Sequence, residues 1–281
     1  GITLPNMTII RPMLCRKVKS LDDIHVPCWL SPKLNGIRAV WNPSAGLFQS
    51  KHEKFWPSWM TQLVWDGSDP RHHPKVYLDG EFLLPNLQDL GTAIGINRHR
   101  PGPHAEQVTF NVFDMVALNT SVESRIRFLN SYFSFRQCER VRHVHHYYAG
   151  THKAIVQLVS DLLLDKYEGV VARPHESLYI EGNKLVWRAY KFQTDEEVVI
   201  VSCHEAVGNL KGLLGGFTVR RPNDSATFDV ACSAFTHAQR QNLWIEQDSL
   251  IGKQLTIRYP YTSTTNVPLQ AQCVAIRDYE R

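Results

Sequence analysis

Short runs of β-branched and aromatic residues, each bounded by turn-forming residues, recur along this chain and limit the folds open to it. They cover residues 37–41, 76–84, 109–116, 168–172, 197–203, 216–221 and 254–259. Runs of this length and composition are typical of β-strands. Three segments have helical character instead, at residues 121–133, 151–165 and 235–242. Many strands with a few inserted helices predict an α+β fold.

The pattern of the chain changes after residue 193. From residue 194 onward, short strand-like segments alternate with turns rich in Gly, Pro, Asn and Asp. A segment of this size and pattern suits a small β-barrel of the oligonucleotide-binding (OB) type. We therefore predict two domains, residues 1–193 and residues 194–281.

The composition is that of a globular protein with a substantial core. Hydrophobic residues make up 43% and charged residues 21% of the 281 positions, which is ordinary for this class. No stretch approaches the roughly 18 apolar residues that a membrane span needs, so we expect no membrane partner and an intracellular location. Gly1 stands where an initiating methionine would be, so a removed leader stays open. A net charge of +4 permits a polyanionic partner without requiring one.

Cysteine and histidine usage does not indicate a metal centre. The six cysteines are scattered without a C-x-x-C pair, which favours reduced thiols in a reducing compartment. Three of the thirteen histidines cluster at His143, His145 and His146. They have no cysteine or acidic partner at ligand spacing, so we expect no zinc site.

A lysine followed by a glycine and an arginine forms the most reactive combination in the sequence. Lys33, Gly36 and Arg38 lie within six positions. A lysine amine attacks an electrophile only when it is neutral, which requires burial or neighbouring positive charge. Gly36 allows close approach of a ligand to the backbone, and Arg38 can supply charge or hold a phosphate or ribose. By itself the run is more typical of a surface turn with solvated charges than of a reactive site.

Four further runs contain residues suited to nucleotide chemistry. Glu81 and Glu168 place carboxylates next to glycines in strand-like segments, and Phe113 can offer a flat surface to a base. Arg188 and Lys191 can neutralise a phosphate. Each run also has a purely structural interpretation: exposed strand ends for the two carboxylates, a core position for the phenylalanine and a solvated linker for the two cations.

In this order the five runs resemble motifs I, III, IIIa, IV and V of the covalent nucleotidyltransferase superfamily of ATP-dependent ligases and mRNA capping enzymes. The runs are KLNGIR from residue 33, LDGEF from 78, FNVFDM from 110, EGVV from 168 and RAYKF from 188. Towards the C-terminus, residues 208–216 and 235–240 resemble the glycine-rich and F-T-D-A-Q-R segments of minimal DNA ligases. The resemblance covers most of the chain and implies an adenylation domain of the nucleotidyltransferase type followed by an OB-fold domain.

The resemblance implies a three-step reaction with ATP and Mg²⁺ as cofactors. Lys33 would attack the α-phosphate of ATP, carry AMP, and pass it to the 5′-phosphate of a nick in duplex DNA. The 3′-hydroxyl would then displace AMP. By the same likeness Arg38 and Glu81 would hold the ribose, Phe113 would stack on adenine, and Glu168 would bind the metal.

Further cations have roles implied by the resemblance. Lys191 would contact the α-phosphate, with Arg188 as a weaker candidate beside it. In the barrel, Lys211, Arg220 and Arg221 are candidates for contacts to the DNA backbone, or are ordinary solvated charges. We expect the enzyme to act as a monomer on nicked duplex DNA, with sequence-tolerant and salt-sensitive binding.

Three positions depart from the family pattern. Asn35 replaces the aspartate of motif I, motif V has one clear lysine, and the segment around Arg277 only loosely resembles motif VI. Two alternatives to a DNA ligase stay open. One is an RNA ligase or capping-type nucleotidyltransferase, because these share motifs I to V. The other is a catalytically weakened protein that binds nicks, because Asn35 replaces the motif aspartate.

Overall fold

The computed structural model describes residues 9–85, 87–136, 138–164 and 166–277. The chain divides into two compact units, Gly1–Lys191 and Phe192–Arg281. The division falls two residues before the boundary that we predicted after residue 193. No helix in the described ranges is both long enough and apolar enough to cross a bilayer.

The N-terminal unit contains two five-stranded sheets. One has the order β1-β10-β9-β2-β8 and the other the order β4-β3-β5-β6-β7. Both are mixed, because β1 runs parallel to β10 and β6 runs parallel to β7 while the remaining neighbours are antiparallel. The strands are β1 Cys15–Lys17, β2 Cys28–Pro32, β3 Ile37–Asn42, β4 Leu47–Ser50, β5 Leu78–Leu83, β6 Thr109–Met115, β7 Val141–His143, β8 Tyr147–Ala149, β9 Gly169–Pro174 and β10 Trp187–Lys191.

Two helices of this unit begin after a residue whose side chain accepts a hydrogen bond from a backbone amide of the first turn. Helix α3 starts after Ser121, whose side chain accepts from the backbone N–H of Ser124, and α4 starts after Thr151 in the same way. The helices are α1 Ser58–Val64, α2 Leu87–Ile94, α3 Val122–Ser134 and α4 His152–Leu158. A π-helical turn, Val159–Leu163, continues α4. The helices predicted at 121–133 and 151–165 are thus confirmed, although position 165 lies outside the described residues.

Alternation along the strands gives the second sheet two different faces. Ala39, Trp41 and Phe82 face a large core that includes residues of α1, α2 and α3. The intervening residues of β3 and β5, such as Arg38 and Glu81, point to the opposite face. That face meets the first sheet through a smaller core, in which Val40 and Phe113 join Val171, Trp187 and Ala189. The predicted charged and aromatic site residues of this sheet therefore lie on the side that faces the other sheet.

The C-terminal unit is a closed five-stranded barrel in the order β11-β12-β13-β17-β14. Its core contains residues such as Val198, Phe217 and Ile257. Strands β15 and β16 form a separate two-stranded sheet that is not part of the barrel. The strands are β11 Thr194–Glu205, β12 Leu214–Arg220, β13 Thr227–Ala231, β14 Gln254–Tyr259, β15 Tyr261–Thr262, β16 Pro268–Leu269 and β17 Gln272–Arg277, and the helices are α5 His237–Ile245 and α6 Gln247–Leu250.

The segment that begins at Phe235 fastens α5 to the barrel. Thr236 and Gln239 form a capping box at the start of the helix. Arg240 is buried and its Nε donates to the carbonyl oxygen of Leu214 on β12, at 2.7 Å. Phe235 itself lies in the barrel core. The F-T-x-A-Q-R pattern of this segment thus has a structural explanation within the barrel.

Candidate active site

Lys33 directly follows β2, beside the start of β9. Its backbone N–H donates to the carbonyl oxygen of Gly169 at 2.9 Å, which extends the pairing of the two strands. This register brings the Lys33 side chain next to Glu168, with 4.0 Å between Nζ and Oε1. Both side chains are partly accessible, Lys33 at 26% and Glu168 at 15%. The predicted nucleophile and the predicted metal ligand therefore lie together.

The two residues line an open cleft of about 530 Å³. Asn35 lines it as well and is exposed. The amine, the carboxylate and the amide are therefore all accessible from this cleft. The remaining lining residues are Leu34, Leu83, Leu84, Pro85, Gln107, Thr109, Lys166 and Tyr167.

Gly36 is required by the close approach of the loop to β5. A Cβ at this position would lie 2.1 Å from the carbonyl oxygen of Phe82 and 2.6 Å from Cδ2 of Leu83. The carbonyl oxygen of Phe82 belongs to the backbone of β5 and cannot move without disturbing the sheet, so only glycine fits. The loop that follows Lys33 is thereby held against β5.

Arg38 and Glu81 lie directly opposite each other on β3 and β5. Arg38 donates from Nε and Nη2 to the two oxygens of Asp79, both at 2.7 Å. Burial disfavours the charge on Arg38, but the Asp79 carboxylate outweighs it and raises the pKa of the guanidinium. Burial also raises the pKa of Glu81 to about 7, against the opposing charges of Arg38 and Lys33. The structure thus brings the two predicted ribose ligands together on one face.

Phe113 lies in the core between the two sheets and is 8% exposed. The guanidinium carbon of Arg38 is 5.0 Å from the centre of its ring, and that of Arg173 is 4.9 Å away. Trp187 packs edge-on against it, with 6.2 Å between ring centres. Stacking of Phe113 on a base stays a prediction, and in this structure two cations and an indole occupy its surroundings.

Lys191 and Arg188 lie on opposite faces of β10. Lys191 ends β10 and pairs with Gly169, the residue after Glu168. Alternation places Lys191 on the face of β10 that carries Trp187 and Ala189, and places Arg188 on the opposite face. The structure therefore brings the backbone of Lys191 next to the Glu168 segment but does not bring Arg188 to the same face.

The residues present fit a magnesium ion only in combination with phosphate oxygens. Among the described residues no group of three His, Cys, Asp or Glu side chains is arranged to hold a metal. Glu168 nevertheless offers a hard carboxylate oxygen in the cleft beside Lys33. Mg²⁺ is commonly bound by one or two carboxylates together with substrate phosphates, and this donor set is of that kind.

The predicted DNA-binding cations of the barrel have different surroundings. Lys211 is exposed in the turn between β11 and β12. Arg220 donates from Nη1 to the carbonyl oxygens of Arg221 and Pro222. Arg221 is paired with Glu196 through bonds of 2.5 and 3.3 Å, so its charge is already largely compensated.

Arg277, at the end of β17, lies against the barrel wall. Its Nε donates to the hydroxyl of Thr256 at 2.8 Å and is 4.0 Å from a carboxylate oxygen of Glu197. A role for Arg277 in ATP activation stays a prediction. Position 278, which belongs to the same sequence segment, lies outside the described residues.

Sequence reasoning did not assign roles to the buried partners of these residues. Asp79 accepts hydrogen bonds from Arg38 and from the Tyr179 hydroxyl. Asp114 pairs with Arg125 at 2.8 Å. Arg173 is 2% exposed and donates to the hydroxyl of Ser31 at 2.7 Å. One signal was available: a charged residue inside a β-branched strand, such as Arg173 after Val170 and Val171, indicates a buried ion pair or ligand contact.

Comparison with known proteins identifies the fold. Residues 207–277 match the DNA ligase OB-like domain family. Over its whole length the chain superposes on the Chlorella virus DNA ligase-adenylate, with a TM-score of 0.53, 20% identity and 100% of both chains covered. The chain has the fold of a DNA ligase.

Two further structures agree with this assignment. A mycobacterial DNA ligase D complexed with ATP and MES gives a TM-score of 0.67 at 17% identity, covering 97% of this chain and 96% of the other. A Lig E DNA ligase gives 0.55 at 20% identity, covering 96% and 100%. No significant relative is found among curated proteins. The predicted α+β fold, a nucleotidyltransferase domain with an OB-fold domain, is confirmed.

Proposed function

We propose that this protein is an ATP-dependent DNA ligase that seals nicks between a 5′-phosphate and a 3′-hydroxyl. The observation that carries the proposal is the position of the Lys33 amine, 4.0 Å from the Glu168 carboxylate in an open cleft, within a DNA ligase fold. The ligases with the same fold include an adenylate and an ATP complex, which supports ATP as the co-substrate.

In the first step the Lys33 nitrogen forms a bond to the α-phosphorus of ATP, and the bond to pyrophosphate breaks. The lysine must first release a proton, because an ammonium has no lone pair. Lys191 lies on the strand beside the cleft and Arg38 on the facing sheet, where they would offset the charge of the phosphates. Chemistry of this kind depends chiefly on positioning and charge neutralisation.

The later steps transfer AMP and then release it. An oxygen of the nick 5′-phosphate attacks the AMP phosphorus and frees Lys33. The 3′-hydroxyl then attacks the 5′-phosphorus, closes the backbone and expels AMP. A magnesium ion held by Glu168 and phosphate oxygens would supply further charge neutralisation in these steps.

Intact mass spectrometry of protein first stripped of bound AMP tests the proposal. After incubation with ATP and Mg²⁺ we expect a gain of one AMP, and none for Lys33→Ala. Lys166→Ala is the matched control, since Lys166 lines the same cleft, and it should keep the adduct. Absence of the adduct from the unaltered protein would contradict the enzyme and favour a nick-binding protein.

Substrate pairs distinguish the remaining alternatives. The adduct should form with ATP and not with GTP, and the charged protein should seal nicked DNA. Preference for GTP would indicate a capping-type enzyme. Sealing of nicked RNA in preference to nicked DNA would indicate an RNA ligase.

A further inference from the structure

A closed ring of hydrogen bonds surrounds one side of the Arg38 guanidinium. Nε and Nη2 donate to Asp79, and Nη2 also donates to the carbonyl oxygen of Met13 at 2.7 Å. The Tyr179 hydroxyl donates to Oδ2 of Asp79 at 2.7 Å. The backbone N–H of Met13 donates to that hydroxyl at 3.1 Å, which completes the ring.

The members of the ring are held in a dry environment. Met13 and Asp79 are fully buried, and Tyr179 is 2% exposed. Burial, followed by the charge of Asp79, raises the pKa of Tyr179 well above its usual value, so the hydroxyl stays protonated and can donate. Hydrogen bonds to a buried charge are strong and depend closely on geometry.

The ring leaves one nitrogen of Arg38 for a ligand. It uses Nε and Nη2, and the hydrogen bonds of the described residues give Nη1 no acceptor. Glu81 lies opposite Arg38 on β5, and the Phe113 ring is 5.0 Å from the guanidinium carbon. Nη1 is thus the donor of Arg38 that remains available beside the two other predicted nucleotide contacts.

We propose that Tyr179 is a positioning residue for the reaction with ATP. Its hydroxyl fixes the Asp79 carboxylate, and Asp79 in turn fixes the plane of the Arg38 guanidinium so that Nη1 is offered to the nucleotide. Tyr179 does not touch the nucleotide itself. The inference rests on the proposed function, because it assigns Arg38 a ligand that the adenylation reaction supplies.

The experiment compares initial rates of adduct formation over a range of ATP concentrations for the unaltered protein, Tyr179→Phe and Tyr77→Phe. Tyr77 is a matched control: it lies in the same core and is equally buried, and its hydroxyl bonds Ser44. For Tyr179→Phe we expect the KM for ATP to rise about tenfold, with kcat within about twofold. Tyr77→Phe should change neither constant, and the retained kcat shows that each variant is folded.

A second comparison tests whether Tyr179 acts through Arg38. Arg38→Lys removes the planar fork that Asp79 holds, so adding Tyr179→Phe to it should alter KM by less than about twofold. A tenfold rise in that background would overturn the proposal, as would an unchanged KM for Tyr179→Phe alone. If the unaltered protein forms no adduct, the proposed function fails as well; if it forms the adduct normally and only the Tyr179 result is negative, this inference alone is wrong.

Discussion

At the scale of single residues, Asn35 places a neutral amide in the Lys33 cleft, where an aspartate would place a negative charge. It lies exposed in that cleft, and Asn35→Asp would add a carboxylate beside the proposed nucleophile. A carboxylate there can accept a proton or bind a cation, so we expect adduct formation and nick sealing to become about tenfold faster. Single-turnover rates measured with saturating ATP check this.

The control for the added charge is Asn130→Asp on the exposed side of α3. It makes the same change of net charge away from the cleft and should leave the rates unaltered. Equal or slower sealing by Asn35→Asp would contradict the prediction, because it would show that the amide of Asn35 does not slow the reaction.

Glu81 gives the protein a pH-dependent stability. Its pKa is raised in the folded state from the usual 4.5 to about 7, mainly by burial. The folded protein therefore binds this proton more tightly than the unfolded chain does. The resulting stabilisation is complete below about pH 4.5 and is lost as the pH rises through about 7. Glu81→Gln should flatten this part of the curve of unfolding free energy against pH.

Chemical denaturation between pH 4 and pH 8 provides the measurement. Glu106→Gln, at an exposed position, serves as the control and should keep the slope of the unaltered protein. A slope that persists unchanged in Glu81→Gln would mean that another group titrates.

The site residues that the sequence predicted lie in short local runs. Lys33, Gly36 and Arg38 are close in sequence, and the order of their run with four further local runs predicted a site. The partners of Arg38 could not be found in this way, because Asp79 is 41 residues away and Tyr179 lies 100 residues beyond Asp79. Contacts over such separations depend on the fold and leave no local pattern.

At the scale of elements, the capping box of α5 stabilises the first turn of the helix that Phe235 and Arg240 attach to the barrel. Thr236→Ala removes the side-chain oxygen that accepts from the backbone N–H of Gln239. We expect the free energy of unfolding to fall by about 1 kcal/mol. Denaturation of the full chain, followed by far-ultraviolet circular dichroism, checks this value.

Thr236→Ser retains the capping oxygen and should stay close to the unaltered protein. If Thr236→Ala were as stable as Thr236→Ser, the capping box would contribute nothing to the barrel. Activity at saturating substrate should be similar in both variants, since the cap does not belong to the cleft.

Element prediction worked where the local signals were strong. The strand predicted at 254–259 and the helix predicted at 121–133 agree with β14 and α3, because each has regular periodicity and clear ends. Strands β1, β7 and β8 were missed, since three residues are too short for any periodicity. Helix α1 was missed too, because Pro57 before it supplies no side-chain cap.

At the scale of the whole molecule, the net charge of +4 can attract DNA only through cations that are exposed to solvent. Lys211 is exposed in a barrel turn, and we expect Lys211→Ala to weaken binding of nicked duplex DNA to a similar extent for all sequences. The slope of log affinity against log salt concentration should fall by about one. Fluorescence anisotropy across a salt series measures both.

Lys153 is an exposed residue of α4. Lys153→Ala makes the same change of charge outside the barrel and should leave the slope of log affinity against log salt concentration unaltered. Because Arg221 is paired with Glu196, Arg221→Ala should reduce the slope less than Lys211→Ala does. The opposite ranking would place the DNA-binding surface at Arg221.

The closure of the barrel limits how other polypeptide chains can pair with its strands. A sheet with a free edge can recruit an extended segment of another chain by adding a strand, and such edges also begin aggregation. In the part of the C-terminal unit that the structure describes, every barrel strand has a neighbour on both sides. The pairing of β13 with β17 is limited to Ala231 and Gln272, so the part of β13 before Ala231 is the described barrel segment with a backbone edge to offer. Elsewhere in the described barrel, recognition depends on turns and outward side chains.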